Sequence, residues 1–258
     1  MNSGSPQLKI LVTGASGGLG GALARHYAAS GVHLALWGRN LRRLTELAET
    51  CRTRGATVTL RSLDIADIPA AVAALIEEDE ARSVDLALFA SGLGDIRAAT
   101  DKVEDPGLVA RLSVINFAAP AAMAAAMAAR MVDRKSGRIV LIGSAAAFHA
   151  LPFAAAYSGS KAGLTRFSEA LRLGVREHGV GVTLVSPGFI DTAAGRQVPG
   201  PKPLMLQPEE VAARIAQAVE RGKAHAVMPW PFAVLRLFDR LLPRPMRDRL
   251  LLSLAPPG

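Results

Sequence analysis

Seven short runs rich in β-branched and aliphatic residues recur along the chain, separated by stretches whose apolar positions follow helical spacing. The runs are LKILVTG (8–14), VHLALWG (32–38), ATVTLRS (56–62), VDLALFA (84–90), GRIVLIG (137–143), VGVTLVS (180–186) and AHAVMP (224–229). Several are nearly continuous in apolar character, the pattern of strands covered on both faces. Helices are predicted near 18–30, 41–54, 67–81, 105–133, 153–178 and 208–221. Such alternation calls for parallel strands joined by right-handed crossovers, with helices on both sides of the sheet. The expectation is an α/β fold with one doubly wound, seven-stranded parallel sheet. A length of 258 residues admits one large domain or two small ones. No linker or internal repeat divides the chain, and the Pro-rich VPGPKPLMLQP (198–208) is too short for a boundary and reads as a loop.

Half the residues are hydrophobic and a fifth are charged, which suits a folded chain with a sizeable core. The single Cys51 excludes an intramolecular disulfide and a cysteine metal cluster, so no metal site is expected. The stretch MNSGSPQLKI has no apolar signal-peptide core, and no window is expected to supply the roughly 20 apolar residues of a spanning helix. A cytoplasmic location follows as an expectation. The formal charge of +8 could favour nucleic acid, an anionic membrane or a phosphorylated ligand. Arginines gather at 39–54 and 236–249, but aromatics make up only 5% and do not interleave with them, so nucleic acid is not an expected partner. The Ala-rich FAAPAAMAAAMAARMV (117–132) reads as a close-packing face against the sheet or a second subunit.

TGASGGLG, Thr13 to Gly20, follows the first strand directly. Glycines at 14, 18 and 20 allow a tight turn and close approach of backbone to a pyrophosphate. The helix that follows would offer unpaired N–H groups and a partial positive charge. A Gly-rich turn also serves plain structure, but its place between a strand and an amphipathic helix favours a nucleotide. Further on, YSGSK sets Tyr157 and Lys161 four residues apart, on one face of a predicted helix. Such a pair can be merely solvated. Alternatively it is a proton donor and the charge that tunes it: free tyrosine titrates near ~10, and a neighbouring ammonium should lower that value. Ser144, thirteen residues earlier at the end of a buried strand, favours the second reading.

These motifs, in this order and spacing, resemble the classical short-chain dehydrogenase/reductase family over roughly residues 8–230. The glycine pattern TGxxxGxG, Tyr157-x-x-x-Lys161, Ser144 in IGSAAAF, Asn116 in VINF and Pro187 to Thr192 in PGFIDT carry the resemblance. One stretch departs from it. FASG (89–92) keeps Gly92 but lacks the asparagines usual after strand four, which bears on local bonding more than on catalysis. The resemblance implies a Rossmann-type domain acting on a small carbonyl or alcohol compound, with Tyr157 as proton donor, Ser144 orienting the substrate oxygen, Lys161 holding the nicotinamide ribose and Asn116 placing a water. It also implies a homodimer or homotetramer. The cofactor would contact Gly14, Ser16, Gly18, Leu19 and Gly20 at the first turn, and Ser91 and Gly92 after strand four. Beyond strand six it would touch Pro187, Gly188, Ile190 and Thr192.

At the end of the second strand, LWGRN supplies no carboxylate for a ribose 2′-OH, and Arg39 can pair with a 2′-phosphate. The expected cofactor is therefore NADP(H), although Arg39 could simply be solvated beside Asn40, a plausible helix N-cap. Asp64 and Ile65 match the family's adenine-contacting positions. A strand-end aspartate capping the next helix is the rival for Asp64. Phe148, His149, Phe153 and Phe189 are placed to line a largely apolar substrate pocket, with no catalytic role for His149. Residues 190–207, with Pro199, Pro201 and Pro203, occupy the place of the family's substrate lid. Residues 231–258 form a basic amphipathic tail, read as a peripheral membrane contact or as a cover for the cleft or a subunit interface. The leading function is reversible NADPH-dependent carbonyl reduction. The alternatives are a catalytically idle nucleotide-binding regulator on the same fold, or a membrane-bound scaffold led by the tail.

Overall fold

The computed structural model describes residues 8–94, 101–198 and 200–253. Pro199 of the expected lid and residues 254–258 of the expected tail lie outside them. Seven strands are present: β1 (Leu8–Thr13), β2 (Val32–Gly38), β3 (Thr57–Ser62), β4 (Leu86–Phe89), β5 (Gly137–Ile142), β6 (Val180–Pro187) and β7 (His225–Met228). They form one sheet in the order β3-β2-β1-β4-β5-β6-β7, and every pairing is parallel. The order reverses between β1 and β4, which opens a crevice at the carboxyl ends of those strands. Both the Gly-rich turn after β1 and the FASG stretch after β4 lie there.

Successive strand residues point to opposite faces, so each strand feeds two cores. On one face Ile10, Val12, Leu34 and Leu36 pack under α1 (Gly18–Tyr27), α2 (Leu41–Thr53) and α8 (Pro208–Glu220). On the other, Leu11, Trp37 and Leu141 pack under α3 (Ile68–Ala81), α5 (Ala119–Asp133) and α6 (Ala155–Val175). Helix starts follow local capping chemistry. Asn40 accepts from the Arg43 N–H at 3.0 Å, Asp67 from Ala70 at 3.1 Å, and Asp105 from Leu108 at 2.9 Å. Asp79 of α3, buried, accepts from Arg130 at 2.6 Å, Arg134 at 3.0 Å and the Val84 N–H at 2.8 Å, which ties α3 to α5.

The helix expected over 105–133 is not uniform. It runs as α4 (Pro106–Ser113), a π turn (Val114–Ala118) and α5. Contrary to the sequence expectation, this stretch is long and apolar enough to cross a membrane by length and composition. Its buried side settles its role: Ala119, Met123, Ala124, Met127, Ala128 and Met131 pack into the second core against the sheet. Small alanines let the helix approach closely, so the Ala-rich segment is a packing face.

The lid region holds α7 (Ala193–Gln197) and is pinned at its base. Asp191 N–H donates to Leu206 O at 2.9 Å, and the Asp191 carboxylate accepts from Arg196 and from Gln207 at 3.1 Å. The tail is two helices rather than one, α9 (Pro231–Leu241) and α10 (Arg244–Ser253), separated at Pro243.

Candidate active site

Backbone positions along the crevice are crowded where the sequence places glycine. Gly14 has φ of 68°, and a Cβ there would come within 2.8 Å of the Ser91 backbone. A Cβ on Gly20 would strike the Gly14 carbonyl, and one on Gly18 would strike the Thr192 side chain. The turn after β1 is thereby closed against both Ser91 and the segment beyond β6. Gly17 brings no side-chain cap to α1, so the first-turn N–H groups of that helix are not met by a cap of its own. Leu19 and Ile65 are buried in the two cores, Leu19 beneath the turn and Ile65 after β3. Ile190 bridges Leu206 at the base of the lid.

At the end of β2, a Cβ on Gly38 would fall 2.6 Å from Ser16 Oγ. Arg39 lies 3.8 Å from Asp64, and both are exposed. Asp64 also accepts from the Ala66 N–H at 3.0 Å, while Asp67 rather than Asp64 caps α3. A neighbouring cavity of about 240 Å³ is lined by Ser16, Gly17, Gly21, Arg25, Arg43 and Glu46. Arg43 was not singled out in the sequence. Its signal would have been its position three residues after the Asn40 cap, in the first turn of α2.

Ser144 lies two residues beyond β5 and is buried, and its Oγ accepts from the Ala146 N–H at 3.1 Å to start a short 3₁₀ turn (Ala145–Phe148). Tyr157 and Lys161 lie one turn apart on α6. Lys161 is buried, and its Nζ donates to the Ile142 carbonyl at 2.8 Å. A Cβ on Gly92 would lie 3.4 Å from Lys161 Nζ and 3.2 Å from Asn116 Oδ1, so these three residues meet. Asn116, fully buried in the π turn, exchanges two bonds with Leu93: its Oδ1 accepts from the N–H at 2.8 Å and its Nδ2 donates to the carbonyl at 2.9 Å. π turns of this kind often mark functional sites. Here the side chain of Asn116 supplies bonding to the post-β4 segment, where FASG lacks the family's asparagines. That amide is thus engaged with Leu93.

Burial lowers Lys161 to about 8. Burial also pushes the Tyr157 phenol above its ordinary value, with the Ser144 hydroxyl pulling the other way. The lowering expected from Lys161 together with an oxidised nicotinamide concerns the loaded protein, whereas in the protein alone the phenol is raised. Desolvation of the phenolate is the larger cause and outweighs the bond from Ser144.

The tail reaches the site. A Cβ on Gly188 would run into the Phe232 ring, so α9 packs directly on the Pro187–Gly188 turn. Arg236 lies over the Phe148 ring at 5.0 Å and within 3.3 Å of His225 Nδ1, and His225 Nε2 is 2.9 Å from Ser186 Oγ. Phe148, expected in the pocket wall, thus packs its ring against the tail. The involvement of Phe232 and Arg236 had no local signal, since both lie over 40 residues or more from the partners that follow β5 and β6.

A parallel-sheet dinucleotide fold with serine, tyrosine and lysine gathered at the crevice defines an oxidoreductase of the nicotinamide-dependent kind. Residues 8–201 match the short chain dehydrogenase family model, and the chain belongs to the short-chain dehydrogenase/reductase family. An uncharacterized oxidoreductase of Myxococcus xanthus is 34% identical over 92% of this chain and 94% of its own length. Dehydrogenase/reductase SDR family member 7B of Bos taurus is 31% identical over 95% of this chain and 81% of its own. A short-chain dehydrogenase from Sphingobium yanoikuyae, solved in complex with NADPH, superposes with a TM-score of 0.80 at 25% identity, covering 97% of this chain and 98% of that one.

Proposed function

We propose that this chain is an NADPH-dependent reductase of carbonyl compounds, reversible as an alcohol dehydrogenase, acting on a largely apolar small molecule. The observation that carries the chemistry is the meeting of Ser144, Tyr157 and Lys161 where β5 ends and α6 passes. An idle nucleotide-binding protein has no need to keep all three. A bound nicotinamide would supply the hydride, and Gly14, Gly18 and Gly20 let the turn close tightly against Ser91 and Thr192 beside the N-terminus of α1, where a pyrophosphate would be held. Tyr157 donates a proton to the carbonyl oxygen, or takes one from an alcohol. Ser144 bonds the same oxygen and orients it. Lys161 holds the ribose and, when protonated, favours the phenolate.

Preference for the 2′-phosphate is supported by Gly38, Arg39 and Arg43. A carboxylate at position 38 would collide with Ser16, and the absence of one leaves Arg39 and Arg43 without a competing acid on β2. Asp64 holds Arg39 only at 3.8 Å in solvent, a pairing a phosphate can displace. The NADPH-bound relative from Sphingobium is consistent with this reading. Apolar substrates are supported by partly buried Phe153 and by partly buried Phe189, whose carbonyl accepts from the Leu206 N–H at the base of the lid. We further propose a homo-oligomeric, cytoplasmic protein. The test is a panel of ketones, aldehydes and alcohols followed by NADPH absorbance. Turnover of a ketone or aldehyde that vanishes in Tyr157→Phe supports the reading, and no turnover of any panel member would overturn it.

A further inference from the structure

The C-terminal helices leave one side of themselves uncovered. The inward positions of α9 are taken, Phe232 by Gly188 and Arg236 by Phe148 and His225. Among the described side chains its other side is apolar. Val234 is 40% exposed, Leu235 48% and Leu241 71%, and Trp230, just before the helix, is 72% exposed. Trp230, Val234 and Leu241 are spaced by four and seven, which sets them along one stripe. In α10, Leu251 is buried, while Met246, Leu250 and Leu252 stand in solvent. Half of the exposed large apolar side chains among the described residues fall between 230 and 252, so the exposure is concentrated rather than scattered.

The charge beside this patch bears on what could cover it. Residues 230–253 contain five arginines against two aspartates, with no lysine or glutamate, and of these arginines Arg236 is turned inward. Arg244 and Arg249 are exposed, and Arg247 leans on Asp248 at 3.4 Å. A second copy meeting this face by two-fold symmetry would set arginine against arginine. A phospholipid surface bearing net negative charge instead pairs with the guanidinium groups, while its acyl boundary accepts leucine, methionine and an indole at headgroup depth.

We propose that the outer face of α9 and α10 docks on an anionic phospholipid surface, with Trp230, Val234, Leu241, Met246 and Leu250 entering the boundary between headgroups and acyl chains. This interaction surface is independent of the substrate and cofactor assignment.

The two tryptophans make the test direct, because Trp37 is 1% exposed in the core and Trp230 is 72% exposed on the proposed face. The full chain is mixed with vesicles of phosphatidylcholine alone, or of phosphatidylcholine with phosphatidylglycerol in equal parts. The expected result is co-sedimentation about tenfold stronger with the anionic vesicles, weakened by high salt, with a blue shift of the exposed tryptophan emission. The double variant Val234→Asp, Leu250→Asp changes only exposed positions, and it should lose sedimentation while keeping the far-ultraviolet circular dichroism of the wild type. Equal binding to both vesicle types would overturn the proposal, as would binding to neither. A blue shift without vesicles that grows with protein concentration would also overturn it, by showing that a second copy covers the patch. Trp37→Phe, which leaves Trp230 as sole reporter, should show the same shift.

Discussion

Lys161 Nζ donates to the carbonyl of Ile142 at 2.8 Å, so the helix bearing the tyrosine–lysine pair is bonded to the last residue of β5. Ser144 stands two residues beyond that carbonyl. One side chain thus fixes the spacing between the serine and the tyrosine, and it is itself buried enough for its charge to be costly.

If Tyr157 supplies the proton, Tyr157→Phe removes only a hydroxyl. Turnover should fall about 100- to 10,000-fold while NADPH affinity and the unfolding midpoint stay near those of the wild type. Ser144→Ala should act mainly on rate. Steady-state kinetics alongside a cofactor titration separates these outcomes, and near wild-type turnover in Tyr157→Phe would mean that the proton comes from elsewhere.

Burial brings Lys161 from 10.5 to about 8, so the free protein loses this ammonium as pH rises through about 8. NADPH affinity should decline across the same interval. Stability runs the other way. The folded value lies below the unfolded one, so between about 8 and 10.5 only the unfolded chain keeps the proton, and this residue's contribution rises with pH across that window. Lys161→Met should flatten both slopes. Urea unfolding and cofactor titration on either side of pH 8 check the two signs.

NADPH should bind at least about tenfold more tightly than NADH, a difference of about 1.4 kcal/mol. Arg39→Asp should erase or invert that preference. Gly38→Asp should instead weaken both cofactors, because its Cβ, 2.6 Å from Ser16 Oγ, displaces a residue of the Gly-rich turn that both would use. Equal affinities in the wild type, titrated at one salt concentration, would remove the basis for assigning the phosphate.

Gly188 and Phe232 should behave as a coupled pair. Gly188→Ala drives a methyl into the ring and should cost about 1–3 kcal/mol by overpacking. Adding Phe232→Ala makes room for that methyl, so the double variant should be more stable than the sum of the two single changes implies. Additive unfolding energies would show that α9 does not press on this turn.

Much of the fold was legible because it is written in local spacing. β1 and β2 alternate residues between two cores, and both faces are apolar in the sequence itself. The strand order, with its reversal between β1 and β4, was not legible, because right-handed crossovers leave open which strands become neighbours. Tyr157 and Lys161 were legible from local spacing, since four residues on a helix fix their shared face. Gly14, Gly18 and Gly20 could be read as a crowded turn, because only glycine tolerates such close backbone approach.

What tertiary structure decided depends on contacts between residues far apart in the chain. Asn116 bonds Leu93 across 23 positions, and no local pattern foretells that its amide is engaged with the segment after β4. The tail's inward side is set by Gly188, Phe148 and His225, so periodicity could show that α9 is amphipathic but not which face is covered. The direction of the Tyr157 shift was decided the same way. Sequence supplies the neighbouring charge on Lys161, but the cost of desolvating a phenolate depends on everything packed around it, and that exists only once the chain has folded.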